Sequence, residues 1–74
     1  MPKLPVLTPR EIIKILKKKG FVLDRSKDSH QIYRHPDSGR RAVVPIHRED
    51  LPKGTLLSIL EQAGISRDEL ERLR

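Results

Sequence analysis

The chain has 74 residues, with 16 Lys and Arg against 10 Asp and Glu, a formal charge of +6 and no cysteine. That length predicts a single domain over residues 1–74, and the missing cysteine excludes disulfides and thiolate zinc sites. Apolar runs such as Phe21–Leu23 and Ala42–Ile46 are far too short to cross a bilayer, and so small a domain has little room for a deep cofactor pocket.

Residues 1–7 read as an extended lead-in, because Pro2 and Pro5 oppose helix. They lack the apolar core of a signal peptide, so the expected location is cytoplasmic. Thr8-Pro9-Arg10-Glu11 predicts a helix start: Thr8 caps, Pro9 suits the first helical position, and Glu11 completes a capping box. Ile12, Ile13 and Leu16 share one face. Lys17, Lys18 and Lys19 match the negative end of the dipole, and Gly20 supplies a left-handed stop.

Phe21 to Ser26 reads as a strand, Lys27-Asp28-Ser29 as a polar turn, and His30 to His35 as a second strand. Pro36-Asp37-Ser38-Gly39 is a turn by its chemistry, and Arg41 to Ile46 is a third strand. Pro45 has no N–H for a ladder, so that strand lies at an edge or ends early. Short connections favour an antiparallel meander. After a loop over residues 47–53, Leu56, Ile59, Leu60 and Ala63 mark a helix ended by Gly64, with Ile65 packing back. Ser66-Arg67-Asp68-Glu69 is a second capping box, opening a short helix with Leu70 and Leu73.

The expected class is α+β, in the order αβββα plus a short C-terminal helix, with the helices on one face of a three-stranded sheet. The expected core is Phe21, Leu23, Ala42, Val44, Ile46, Ile12, Leu16, Leu56, Ile59 and Leu60. In the second strand Ile32 and Tyr33 point opposite ways. Placing Tyr33 toward the helices sends His30, Ile32 and Arg34 to the open face.

The charge is uneven. Residues 1–48 carry 12 basic and 4 acidic side chains, a balance of +8, while residues 49–74 carry 4 and 6, a balance of −2. This favours a polyanion or an acidic partner on one face, though a solubilising surface has the same sign. The three histidines His30, His35 and His47 form no metal-ligand motif, and no phosphate-binding glycine loop occurs. His30 lies where a polar turn enters a strand, close to Arg25, Lys27 and Arg34. There it can serve as a base on a hydroxyl, with the cations stabilising phosphoryl charge, or be a surface histidine in a basic patch. His35 shapes a turn before Pro36, and His47 can contact phosphate. Ser29 fits a phosphate contact or turn closure, and Arg40 and Arg41 fit phosphate contact or a solvated hairpin tip. Phe21 and Tyr33 are the two aromatics, too few for a base-stacking platform.

Several strings, in order, resemble the HicA (YcfA-like) toxin family. They are Phe21-Val22-Leu23, Ser29-His30-Gln31-Ile32-Tyr33-Arg34-His35-Pro36-Asp37, Val44-Pro45-Ile46-His47, Leu51-Pro52-Lys53-Gly54-Thr55-Leu56 and Ile59-Leu60-Glu61-Gln62-Ala63-Gly64-Ile65. The resemblance runs from about Thr8 to Ser66. It implies a double-stranded-RNA-binding-domain-like fold, mRNA interferase activity without a cofactor or metal, and inhibition by a HicB-like antitoxin. His30 matches the family's essential histidine, which follows a Gly-Ser pair; here the pair is Asp28-Ser29.

Two functions follow as expectations. The first is an mRNA endoribonuclease with His30 as general base or acid and Arg25, Lys27 and Arg34 as phosphate stabilisers. The second is a non-catalytic RNA-binding module on the same basic face. Ser29, Arg40, Arg41 and His47 are further candidate RNA contacts in both. An acidic antitoxin is expected to cover the basic face and occlude His30, and no membrane partner is expected.

Overall fold

The computed structural model describes residues 3–74; Met1 and Pro2 of the expected lead-in lie outside the described residues. Helix α1 spans Pro9–Lys19 and begins with the expected capping box. The Glu11 N–H donates to the Thr8 hydroxyl at 3.3 Å, and the Glu11 carboxylate accepts from the Thr8 N–H at 2.9 Å. The backbone bond, then the hydroxyl bond, from Thr8 hold the Glu11 carboxyl below its ordinary range. A lowered folded-state value means that this cap is intact at neutral pH and is lost as the pH falls through that value. At the other end Gly20 sits at φ 112°, and the Phe21 N–H reaches back to the Leu16 carbonyl at 2.9 Å. This is a Schellman closure, which a left-handed glycine makes possible.

Three antiparallel strands follow: β1 (Val22–Lys27), β2 (His30–Arg34) and β3 (Arg41–Pro45), in the order β1-β2-β3. Helix α2 (Lys53–Ala63) and helix α3 (Arg67–Leu73) complete the αβββα-plus-helix order. This is the expected α+β arrangement, an open three-stranded antiparallel sheet with helices. Helix α2 ends in a second Schellman closure at Gly64, where the Ile65 N–H donates to the Leu60 carbonyl at 2.9 Å. The cap of α3 is half of the expected box. Ser66 accepts from the Glu69 N–H at 3.1 Å, but the Glu69 carboxylate pairs with Lys19 across α1 and α3 instead of returning to the Ser66 backbone.

The helices pack mainly against β3 and against each other. The core contains Leu7, Ile12, Ile15, Leu16, Phe21, Tyr33, Ala42, Val44, Leu51, Leu56, Ile59, Leu60, Ala63, Ile65 and Leu70, with no buried polar or charged residue among those described. Two expected core residues are not in it. Leu23 is 49% exposed and Ile46 is 38% exposed. The reason is lateral. All six residues of β1 are exposed, because the helix layer sits over the β3 side and stops short of this edge. Ile46 lies one residue past the end of β3, where the same cover runs out.

Tyr33 is 2% exposed, so its side chain sets the phase of β2 as expected. It stands opposite Ala42 and Leu23 on the helix side, while Ile32 stands opposite Val43 and Arg25 on the open side. Burial raises the pKa of its phenol. The stability due to the buried neutral phenol is therefore present below the ordinary tyrosine range and is lost in strong alkali. Tyr33→Ala should remove about 3–5 kcal/mol of stability, which is most of what so small a domain has. Ile32→Ala should cost clearly less in the same urea unfolding experiment. A reversed ranking would mean that the strand faces the other way.

Candidate functional site

The register collects five of the candidate residues on one surface. His30 stands opposite Lys27 on β1 and Pro45 on β3, Arg34 stands opposite Val22 and Arg41, and Arg25 stands opposite Ile32. Cross-strand partners share a face. His30, Arg25, Lys27, Arg34 and Arg41 therefore all project from the side of the sheet away from the helices. The bulge between Leu23 and Arg25 makes this possible. Without the extra residue, Arg25 and Lys27 would share the face of Tyr33; with it, they swing to the face of His30. His30 is exposed. Among the described residues the ion pairs are Lys19–Glu69 and Arg74–Glu71, so none of the four cations beside His30 is neutralised by a carboxylate.

Ser29 lies in the two-residue turn before His30, where its carbonyl accepts from the Ile46 N–H at 2.6 Å. That bond ties the end of β3 to the β1–β2 turn. Asp28, its neighbour, has φ 54°, a left-handed conformation that an L-residue adopts at a cost and that aspartate tolerates better than most.

The other candidates are elsewhere. Arg40 reaches the carbonyls of Glu61 and Gln62 at 3.5 and 3.4 Å, so its guanidinium serves the C-terminal end of α2. His35 is a structural residue, as a turn-shaping role requires. Its Nδ1 accepts from the Ser38 N–H at 3.3 Å, its Nε2 faces the Lys19 carbonyl at 3.2 Å, and its ring stands edge-on to Phe21 at 5.1 Å. With Nδ1 accepting, Nε2 carries the proton and donates to the carbonyl. His47 lies on the helix side, in an open cleft of about 910 Å³ between α1 and the sheet, which His30 does not line. Sequence reading assigned no function to the other cations of that cleft, Arg10, Lys14, Lys17 and Arg48. Their spacing on α1 was a usable signal, since positions 10, 14 and 17 recur every three or four residues.

A family model described as the HicA toxin of bacterial toxin-antitoxin systems matches residues 9–65. The chain belongs to the HicA toxin family. A search among curated proteins returned no match. The HicA match begins at the first residue of α1 and ends at Ile65, one residue past the glycine that closes α2. It therefore covers the whole sheet and both helices that pack on it, and leaves α3 outside. Membership in a toxin-antitoxin family gives the protein the role of a toxin and implies an antitoxin partner. No helix among the described residues is long and apolar enough to cross a membrane.

Two predictions separate the scaffold of this HicA domain from its surface. Asp28→Gly should raise the urea midpoint, by up to about 1 kcal/mol in stability, because glycine adopts positive φ without penalty. An unchanged or lowered midpoint would mean that the turn is not strained. His35→Ala should cost about 1 kcal/mol, because it removes the hydrogen bonds that the ring makes to the Lys19 carbonyl and the Ser38 N–H, the first of them part-buried. The folded fraction of that variant, counted by circular dichroism, should keep the wild-type affinity for any ligand of the open face.

Proposed function

We propose that this HicA toxin is an endoribonuclease that cleaves mRNA in the cytoplasm, with His30 as its general acid–base and a HicB-type antitoxin as its inhibitor. The observation that carries this reading is the open-face cluster. An exposed imidazole stands beside an unneutralised lysine and three arginines, in a chain of the HicA family. RNA brings its own nucleophile, so the protein must supply a proton acceptor, a proton donor and positive charge.

His30 takes the proton of a 2′-hydroxyl, and the 2′-oxygen attacks the adjacent phosphorus. The bond from phosphorus to the 5′-oxygen then breaks. The products are a 2′,3′-cyclic phosphate and a 5′-hydroxyl, and the departing oxygen needs a proton. Lys27, directly across the ladder from His30 on the same face, is the candidate donor. Arg25, Arg34 and Arg41 hold the phosphates, and Ser29, at the turn, can add a hydrogen bond. An imidazole nitrogen can accept a proton and later give it up, which suits His30 to this exchange.

His30→Ala should lower cleavage of a labelled RNA on the order of 10²–10⁴-fold. Fold and most of the RNA affinity should survive, because affinity rests on many cations. Cleavage by this variant at the wild-type rate would leave a non-catalytic RNA-binding module as the better account. At Lys27 two substitutions should diverge. Lys27→Ala should weaken both binding and rate. Lys27→Arg should restore binding but not rate, because a guanidinium keeps its charge and does not give up its proton. Full rescue of the rate by arginine would make Lys27 a charge contact and not a proton donor. Arg34→Ala should weaken binding and cleavage together, with partial recovery at low salt.

A further inference from the structure

The cleft between α1 and the sheet lies on the face opposite His30, and neither the open-face cluster nor the core accounts for it. Its volume, about 910 Å³, is near the upper end for small-molecule sites and exceeds what a lone phosphate needs. Arg10, Lys14 and Lys17 line one wall, a row about 10 Å long at the rise of a helix. Arg48 and His47 approach from the chain that leaves β3, and no carboxylate lines the cleft. None of the four permanent cations is in an ion pair among the described residues.

The rest of the lining fits the same kind of guest. Gln31 accepts the Tyr33 hydroxyl at 2.8 Å, which uses one of its two acceptor sites, while both of its side-chain N–H donors remain. The polar lining therefore consists mostly of donors. Beside it lies an aliphatic floor that includes Leu23 and Ile46, the two residues expected in the core and found 49% and 38% exposed. Donors and cations over an aliphatic floor suit an anionic chain that also carries flat, weakly polar groups.

Position decides between guests. Pro45 is the cross-strand partner of His30, and the next three residues, Ile46, His47 and Arg48, all line the cleft. Gln31 lies next to His30 in β2 and faces the other way. The cleft thus opens at the same end of the sheet as His30, on the other side of a molecule only 17 Å across its thinnest axis. A duplex is too stiff to turn around that end, whereas a single strand can.

We infer that the cleft is the second half of a substrate track. It takes the single-stranded RNA flanking the cleaved bond, with phosphates along Arg10, Lys14, Lys17 and Arg48 and sugars or bases on Leu23 and Ile46. This rests on the endoribonuclease reading. It adds a binding surface to that reading and makes the enzyme selective for unpaired RNA.

The test uses a fluorescent, non-cleavable 2′-O-methyl RNA strand, alone and as a duplex, titrated with the full chain at several salt concentrations. Lys14 and Lys17 are exposed, so the double variant Lys14→Ala, Lys17→Ala should fold, which circular dichroism checks. It should bind the single strand about tenfold more weakly, and the slope of log affinity against log salt should fall by about 1.4. The duplex should bind more weakly than the strand. Unchanged affinity and slope in the double variant would overturn the inference. So would an equal loss for strand and duplex, or loss of antitoxin binding with RNA affinity intact, which would make the cleft a protein-docking site. The two readings fail separately. If wild type does not cut a matching 2′-hydroxyl strand but the lysine variant still loses affinity, the nuclease reading falls and the track stands. If cleavage is normal in both proteins and affinity is unchanged, the reverse holds.

Discussion

The burial of one tyrosine settles the geometry of everything this protein presents to solvent. In a pleated strand, alternate side chains go to opposite faces, so burying Tyr33 under the helices sends His30, Ile32 and Arg34 outward. The same phase sends Gln31 inward, to bond the Tyr33 hydroxyl beside the cleft. A slip of one residue would bury His30 and Arg34 under the helices, exposing a tyrosine in exchange. Neither side chain would find a charged partner there, since the core has no buried charged residue among the described residues. The slipped register is therefore closed off by desolvation as much as by lost packing.

The two edges of the sheet are treated differently, and the difference creates the cleft. On the outer edge of β3 the Val43 N–H donates to the Gln62 side chain at 3.0 Å, and residue 45, being proline, offers no N–H at all. Arg40 fixes the same edge to the end of α2. With the helices drawn to β3, the β1 side loses its cover, and Leu23 and Ile46 are left half in water beside the cations of α1. The edge that stays open is protected in another way. Arg25 and Lys27 lie on it, and a bulge interrupts its ladder, both of which discourage another strand from adding.

Most of the architecture was legible because it rests on local signals that agree. Thr8 with Glu11, Gly20, and Gly64 with Ile65 mark helix ends by capping chemistry that needs no tertiary partner, and each forms as written. The phase of β2 was legible from the size of Tyr33. Leu23 and Ile46 were misplaced because alternation says which face a residue takes, not how far the cover over that face extends. The bulge at Asp24 was also invisible, since nothing in Leu-Asp-Arg marks an extra residue. Glu69 shows the same limit: its spacing from Ser66 fits a capping box, but Lys19, 50 residues away, draws the carboxylate elsewhere. At the site, His30 and its cations could be read from one hairpin. The cleft could not, because α1 and the chain after β3 meet only in three dimensions.

Chemistry and stability are kept on different residues in this fold, with few exceptions. The core is aliphatic apart from Phe21 and Tyr33, and every candidate proton-transfer or phosphate-binding side chain on the open face is outside it. Surface substitutions away from caps and special backbone usually change stability by less than about 0.5 kcal/mol. Changes at His30, Lys27 or Arg34 should therefore read out as function alone. Asp28, His35 and Arg40 are where the separation fails: a left-handed turn, a ring bonded to two segments, and a guanidinium on a helix end. At Asp28 the two demands meet directly, because it sits one residue from Ser29 and two from His30. A glycine there would relax the backbone and also remove a carboxylate beside the cationic surface proposed to hold phosphate. Any gain in activity on that change must therefore be divided by comparing Asp28→Gly with Asp28→Asn. Asparagine removes the charge while tolerating the left-handed turn about as well as aspartate. If Asp28→Asn recovers the whole gain, repulsion of phosphate is the cause. If only glycine does, the turn is.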